Sequence, residues 1–252
     1  MGASYRRRVS EPPLSTTDGR RLRGQRTRQL VLTRAVDMAS AEGLDSLSLA
    51  RLGADLGISK SGVGGHFASR EDLQLAVIGV AASLYADRVA VPAAAAPAGL
   101  PQLWRLCDHW IEFMRSGELR GRSFFLTAMV EYDARPGPIR DELVRLRGRW
   151  QALFTGFLRA AQQHGHVHPD VDAEQLFFEV ASVIVGATLD SQLRDDASTF
   201  DRARAAVLRR LRSLVPSEQS LSAALDLWVP SAQRTSSPPA ADTEIDAQPR
   251  HG

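Results

Sequence analysis

The sequence contains little cysteine and no long apolar run, and each shortage excludes a class of protein. One cysteine among 252 residues cannot build an internal disulfide framework, so a reducing, cytoplasmic compartment is expected. No stretch approaches the roughly 18–20 consecutive apolar residues of a membrane span. The N-terminus is basic but lacks the apolar core of a secretory signal. These features predict a soluble cytoplasmic protein with no membrane partner.

The motifs of common enzymes are missing as well. The sequence has no glycine-rich phosphate loop, no His-Glu-x-x-His helix and no nucleophile elbow. Pairs of carboxylates mean little in a chain with 29 acidic residues unless their geometry is known. We therefore expect no enzyme activity and no cofactor.

Three histidines alternate in the sequence His164-Gly-His166-Val-His168. Alternating imidazoles can bind zinc or nickel, but the sequence identifies no further ligand near them. We interpret this segment as a polar loop between two helices and expect no metal.

Positive charge is concentrated at one end of the chain. Residues 1–30 contain eight arginines and two acidic residues, whereas residues 216–252 contain two arginines and five acidic residues. A basic segment beside a compact domain is typical of nucleic-acid binding, although a solvated, disordered tail would have the same composition. Lys60 is the only lysine among 31 basic residues.

Apolar residues recur with helical spacing, so the fold class is predicted to be all-α with about nine helices. The predicted divisions are a disordered basic arm (1–24), a three-helix DNA-binding domain (25–70), a helical bundle for effector binding and dimerisation (71–215) and a mostly disordered tail (216–252) with a short helix at 221–229. The predicted helices cover about 27–41, 48–57, a short segment that starts at Ser59, 69–84, 100–114, 122–132, 139–164, 173–193 and 199–214. A linker rich in alanine and proline is expected at 91–99.

The segment LARLGADLGISKSGVGGHF, residues 49–67, has the pattern of two short helices around a tight turn. Small Gly53 permits close approach of the helices, and Gly57 suits the left-handed turn. The outer face of the second helix is small and polar and suits a DNA groove, with Lys60 and Ser61 able to donate to phosphates or bases. An ordinary helical hairpin without a ligand is the alternative.

The same segment resembles the DNA-binding domain of TetR-family regulators. The matching features are Gly43 at the end of the first helix, Ser48 at the start of the second, the turn 56–58, and Ser59-Lys60 followed by small residues, then His66-Phe67 and residues 69–73. The resemblance covers about residues 27–78. The remainder resembles the family only in its arrangement of helices.

This resemblance implies a homodimer on a palindromic operator, with repression usually relieved by a small molecule. It implies that Ser48 caps a helix near a phosphate, that Lys60 and its neighbours lie in the major groove, and that His66 and Arg70 flank it. The arginine-rich arm is expected to reach the adjacent minor groove. The expected DNA contacts are Ser48, Ser59, Lys60, Ser61, Gly62, Gly64, His66, Arg70, Arg23 and Arg26.

One departure from the family pattern affects DNA binding. Gly64 replaces the aromatic residue that usually packs and contacts a phosphate, and three glycines fall among residues 62–65. Each costs about 1 kcal/mol of helix propensity relative to alanine. We expect a recognition helix that is frayed without DNA and binds more weakly than one carrying the aromatic.

Large apolar side chains are frequent in the second half of the chain, where they either fill a core or line an effector cavity. The predicted effector residues are Trp104, Cys107, Trp110, Met114, Phe125, Met129 and Trp150. The segment 173–193 is apolar nearly all round, so we expect it to form the dimer interface with 199–214.

The sequence thus predicts a DNA-binding transcriptional regulator, most simply a repressor released from its operator by an unknown small apolar effector. Alternatives are an effector-independent activator or architectural DNA-binding protein, and a structural dimer whose glycine-rich helix no longer binds DNA.

Overall fold

The structure, a computed structural model, describes residues 16–119 and 123–216, with side chains from Leu22 onward. Within these ranges it contains nine helices and no strand, which confirms the all-α prediction. The helices are α1 Thr16–Glu42, α2 Leu49–Leu56, α3 Lys60–Gly64, α4 Arg70–Ala94, α5 Leu100–Ser116, α6 Phe124–Tyr132, α7 Pro138–Gln163, α8 Ala173–Arg194 and α9 Ser198–Arg212. A 3-10 turn, Leu44–Ser46, joins α1 to α2.

Serine side chains begin the three helices that follow this turn, as predicted. Ser48 Oγ accepts a hydrogen bond from the Arg51 N–H at 3.1 Å, and Ser69 Oγ accepts one from the Asp72 N–H at 3.0 Å. Ser59 caps α3 in the same way. Each cap satisfies a backbone donor that the first turn of a helix leaves without a partner, so α2, α3 and α4 start at fixed positions.

The start of α1 was predicted wrongly. The helix begins at Thr16 rather than near residue 27, so residues 16–24 are helical and not a disordered arm. The segment carries three arginines and a leucine, which are good helix formers, and no proline follows Pro13 before the helix ends. Residues 1–15, the tail 217–252 and the short helix predicted at 221–229 lie outside the described residues.

The linker prediction was wrong for its first half, because α4 continues to Ala94. Residues Ala86–Ala90 form a π turn, and Val91–Ala94 are again α-helical. Pro92 lies directly after this turn. A wider turn is one way in which a helix adapts to the hydrogen bond that proline cannot make.

One continuous core joins the N-terminal helices to the bundle. Val31, Leu52 and Val63 are fully buried among α1–α3, which we call the head. Helix α4 leaves the head and runs into the bundle, where α5, α7 and α8 surround large buried residues such as Phe154 and Leu176. The position of the head relative to the bundle therefore depends on α4 and on whatever else joins the two.

Two helices, α4 and α8, are long and apolar enough to cross a membrane by length and composition alone. In both, one face packs into the protein core. Val77 and Ala81 of α4 and Val180 and Ile184 of α8 are almost fully buried. This is the usual arrangement of core helices in a globular protein.

Two glycines of the head provide a matched test of its packing. A Cβ at Gly53 would lie 2.6 Å from the Ile58 carbonyl oxygen, whereas a Cβ at Gly64 meets nothing within 4 Å. We expect Gly53→Ala to destabilise the protein by about 1–3 kcal/mol. Gly64→Ala should be neutral or stabilise it by up to about 1 kcal/mol through helix propensity. Chemical denaturation measures both, and equal effects of the two substitutions would contradict this packing.

Candidate DNA interface and effector cavity

Helices α2 and α3 form a helix-turn-helix whose angle is fixed by the turn. Gly57 has a left-handed backbone with φ of 66°, and the Ile58 N–H donates to the Gly53 carbonyl at 2.8 Å. Leu52 and Val63 are fully buried on the facing sides of the two helices. The two helices are thus held together at their inner faces, and the outer face of α3 is left accessible.

The outer face of α3 presents short polar groups to solvent. Ser59, Lys60 and Ser61 are exposed. Ser59 Oγ accepts the Gly62 N–H and lies 3.0 Å from Ser61 Oγ, so part of its hydrogen-bonding capacity is used within the helix. Open space beside Gly64 leaves the backbone of α3 close to the surface.

The two arginines predicted for the arm lie on α1. Arg23 and Arg26 are exposed on its N-terminal part. A Cβ at Gly24 would lie 3.8 Å from His66 Cε1, so this part of α1 runs beside the residues that follow α3. Arg28 stacks over Phe67 at 5.1 Å. The structure therefore offers these arginines on a helix beside α3 rather than on a flexible arm.

Arg70 is already engaged inside the protein. Its Nε donates to the Leu47 carbonyl at 2.8 Å, and its Nη2 donates to the Asp45 carboxylate at 2.6 Å. The guanidinium thereby holds the turn before α2 against the start of α4. A phosphate role, expected from the resemblance, would have to compete with these bonds.

Polar residues of α6 and the adjacent segment hold the head from the opposite side. Glu131 Oε2 accepts hydrogen bonds from the Leu44 N–H at 2.8 Å and the Asp45 N–H at 3.3 Å. Arg135 Nη1 donates to the Asp45 carboxylate at 3.0 Å. We call this group, together with Tyr132 and Gln74, the junction.

Gln74 completes the junction from α4. Its Nε2 donates to the Leu44 carbonyl at 2.9 Å and to the Tyr132 hydroxyl at 3.0 Å. One buried amide therefore joins the 3-10 turn, α4 and α6. Sequence analysis missed the junction because its members are far apart in the chain and belong to no local motif.

The charge of Asp45 depends on its arginine partners. The hydrogen bond from Arg135 holds the pKa of Asp45 below its usual range, and Arg70 adds to this effect. A carboxyl with a lowered pKa in the folded state stabilises that state above its unfolded pKa of about 3.9, and the contribution is lost as pH falls through the folded value. The arginine contacts of Asp45 are therefore lost only as the pH falls below the usual range of a carboxyl.

A small apolar cavity of about 70 Å³ lies between α4, α5, α6, α7 and α8. Five of the predicted effector residues line it: Trp110, Met114, Phe125, Met129 and Trp150. Sequence analysis missed six lining residues: Tyr85, Phe113, Ser123, Leu126, Ile184 and Val185. Tyr85 continues the buried i, i+4 series of Val77 and Ala81 on α4, and this spacing could have identified it.

Two predicted effector residues lie elsewhere. Trp104 and Cys107 are buried in the core but do not line the cavity. They lie about two turns and one turn before Trp110, toward the N-terminal end of α5. Helix α6, which forms one wall of the cavity, follows the C-terminal end of α5. Burial raises the pKa of the Cys107 thiol, which makes it an unreactive core residue.

A wider depression of about 450 Å³ adjoins the cavity and shares Phe113, Met114, Ser123 and Phe125 with it. This depression, which we call the vestibule, also reaches Ala41 of α1. The vestibule is partly open to solvent and borders the cavity on this side.

The alternating histidines contribute to helix ends. His166 Nδ1 accepts a hydrogen bond from the Leu100 N–H at 3.3 Å, at the start of α5. His164 Nδ1 lies 2.7 Å from the Ala160 carbonyl oxygen. Burial lowers the pKa of His166, which keeps its ring neutral and able to accept this bond.

Residues 99–207 match the family described as "Tetracyclin repressor-like, C-terminal domain". This match covers the part of the chain for which the sequence motif gave no information. These residues belong to the TetR-like C-terminal domain family. No curated protein matches the full sequence.

Solved structures share the TetR fold with this chain. A TetR transcriptional regulator from Chloroflexus aurantiacus J-10-FL is 22% identical, with a TM-score of 0.72 over 77% of this chain and 98% of that one. A TetR-family transcriptional regulator from Streptomyces coelicolor is 22% identical, with a TM-score of 0.64 over 76% and 96%. AibR, solved in complex with isovaleryl coenzyme A and operator DNA, is 17% identical, with a TM-score of 0.58 over 75% and 98%.

The junction predicts a local effect of one substitution. Glu131→Ala removes the acceptor of the Leu44 and Asp45 N–H groups, which should cost about 1–3 kcal/mol of stability. It should also speed hydrogen exchange of these two amides. Val130→Ala, at an exposed neighbouring position, is the control and should leave both measurements unchanged. Unaltered protection of the Leu44 amide in Glu131→Ala would contradict the proposed contact.

Proposed function

We propose that this protein is a DNA-binding transcriptional regulator of the TetR family, a cytoplasmic repressor released from a palindromic operator by a small apolar effector. The observation that carries the proposal is a helix-turn-helix with an exposed polar second helix, followed by a helix, α4, that continues to an apolar cavity. AibR, which shares the fold, was solved with operator DNA and an acyl coenzyme A. A regulator without enzyme activity accounts for all of these features.

The proposed DNA contacts are arranged around α3. Lys60 and Ser61 read the major groove together with the backbone at Gly62 and Gly64, while Ser48 and Ser59 lie at helix starts, where phosphates are favoured. Three further side chains flank α3, one of which follows it in the chain and two of which lie on α1. They are His66 and the two exposed arginines of α1, Arg23 and Arg26.

A homodimer through α8 and α9 is supported by exposed apolar residues on α8. Phe178, Leu189 and Leu193 are 60%, 46% and 84% exposed. At 100° per residue they lie within about 60° of one another, so they form one stripe. Such a stripe fits a two-fold interface in which α8 and α9 of each protomer form a four-helix bundle. Dimerisation would place the two α3 helices about 34 Å apart, one turn of DNA.

Release by an effector is supported by the position of α6. Phe125 and Met129 of this helix line the cavity, and Glu131 and Tyr132 at its end hold the head. A ligand that prefers a widened cavity would shift α6 and, through the junction, the head. The ligand would weaken DNA binding at most by the ratio of its affinities for the states with the widened and the original cavity.

An effector-independent DNA-binding activator or architectural protein is the second candidate. The small size of the cavity favours it, since about 70 Å³ holds little without side-chain movement. It predicts operator binding that no ligand alters.

A gel shift across a salt series tests the function directly. The purified protein is mixed with DNA from upstream of its own gene and, separately, with random DNA of the same length. Tight binding that resists competitor and weakens with salt would support the regulator. Binding no tighter than to random DNA would contradict binding at its own promoter and favour a head that has lost DNA recognition.

Gly64 offers a gain-of-function test in the same assay. Gly64→Tyr restores the aromatic that family members carry, in space that is empty here. We expect operator affinity to rise about tenfold, because the ring adds packing and a phosphate contact to α3. Gly64→Ala, which changes helix propensity alone, separates the two causes. Unchanged affinity in Gly64→Tyr would contradict the inferred weakness of this helix.

The dimer interface can be tested with charges on the exposed stripe. Phe178→Glu combined with Leu193→Glu should convert the protein to monomers and reduce operator affinity at least tenfold, because both half-sites must be bound together. The control is Val144→Glu, at an equally exposed valine of α7. Sedimentation velocity gives the oligomeric state. A dimer that survives the double substitution would place the interface elsewhere.

A further inference from the structure

Tyr85 is a buried tyrosine whose hydroxyl has no protein partner among the described residues. The side chain is 5% exposed and lines the apolar cavity, yet its hydroxyl makes no hydrogen bond with any residue in the described ranges. Buried tyrosine hydroxyls usually find a partner, because a polar group without one is costly in an apolar environment. Tyr85 also lines a depression between α4 and α7 that is partly open to water. The cavity is the apolar one of the two spaces through which a partner for this hydroxyl can enter.

Other polar groups of the cavity are less available. The Ser123 hydroxyl already accepts the Leu126 N–H at the start of α6 and lies 3.9 Å from the Met114 sulfur. Trp110 and Trp150, which carry indole N–H groups, are only half-buried. Among the described lining residues, Tyr85 is thus the buried hydroxyl that a ligand can satisfy.

The cavity favours a neutral ligand. None of its described lining residues carries a charge, so an ion would lose its hydration there without an opposite charge. Burial raises the pKa of Tyr85, which keeps the phenol neutral and able to donate or accept.

Aromatic rings alone can hold an organic cation, but these rings pack against one another. Phe125 meets Trp150 edge-to-face with centroids 4.8 Å apart, and Tyr85 lies 4.8 Å from the same Trp150 ring. This arrangement occupies part of the ring surface that a cation would need.

The size of the cavity limits the ligand to a compact one. An apolar cavity of about 150 Å³ is known to hold benzene, and this one measures about 70 Å³. Met114 and Met129 in the lining are flexible enough to enlarge it. A single ring or a short branched chain requires this enlargement, and larger groups would have to extend into the vestibule.

The helix geometry at Tyr85 is irregular, as it often is at ligand sites. Tyr85 is the last residue of the regular part of α4, and the π turn Ala86–Ala90 begins directly after it. Such turns occur frequently at functional sites. A ligand bonded to Tyr85 would act on the helix that carries the head.

We infer that the effector is a compact, neutral, apolar molecule with one hydroxyl or carbonyl oxygen, and that Tyr85 selects it by a hydrogen bond to that oxygen. The inference rests on the proposed effector control and names the ligand class and the specificity-determining residue. It requires no DNA, so its test is independent of operator binding.

Phenol and benzene are suitable probes, because they differ by one hydroxyl. Their Kd values are measured on the full chain by calorimetry, with quenching of tryptophan fluorescence as a second signal. We expect Tyr85→Phe to reduce the preference for phenol over benzene about five- to tenfold and to leave benzene binding unchanged. Ser83→Ala removes an exposed hydroxyl of the same helix, outside the cavity, and should keep the wild-type preference.

Three outcomes would overturn the inference. They are an unchanged preference in Tyr85→Phe, tighter binding of tetramethylammonium than of phenol, and no binding of either neutral probe. If Tyr85→Phe does not fold, the wild-type protein provides the test. The inference then requires that phenol binds more tightly than benzene after correction for their partition from water. Operator binding measured by gel shift would stand in each case, so failure of this inference and failure of the DNA-binding function are distinguishable.

Discussion

The carboxylate of Glu131 is the contact on which the arrangement of the two halves depends. It accepts the first backbone N–H groups of the 3-10 turn that follows α1, at 2.8 and 3.3 Å. Such donors have no partner within their own turn, so a residue of the bundle completes a structural element of the head. The head is consequently held at two places, by α4 and by the end of α6. Its orientation follows that of both helices.

The same two helices line the apolar cavity. Tyr85 of α4 and Met129 of α6 face it, while Gln74 and Tyr132 of the same helices share a hydrogen bond at the junction. A widening of the cavity that displaces α4 or α6 therefore also moves a helix that holds the head. The buried Gln74 amide joins these helices to the 3-10 turn, because it donates to both the Leu44 carbonyl and the Tyr132 hydroxyl.

Local rules predicted the head well, and distant contacts account for what they missed. The caps at Ser48 and Ser69 and the left-handed Gly57 depend on a few neighbouring residues, so the sequence indicates them directly. The engagement of Arg70 with Asp45 depends on a partner 25 residues away. The exclusion of Trp104 and Cys107 from the cavity depends on where α6 crosses α5. The apolar periodicity of one helix does not indicate where another helix crosses it.

The open space beside Gly64 shows that the residues that stabilise the helix-turn-helix differ from those that form its exposed surface. Residues that lock the helix-turn-helix, such as Gly53 and Val63, face inward and cannot change without disturbing the fold. Position 64 has no such neighbour within 4 Å of an added Cβ. Single substitutions at the surface of α3 can therefore change the groups that this helix presents, while a different set of residues maintains the fold of the domain.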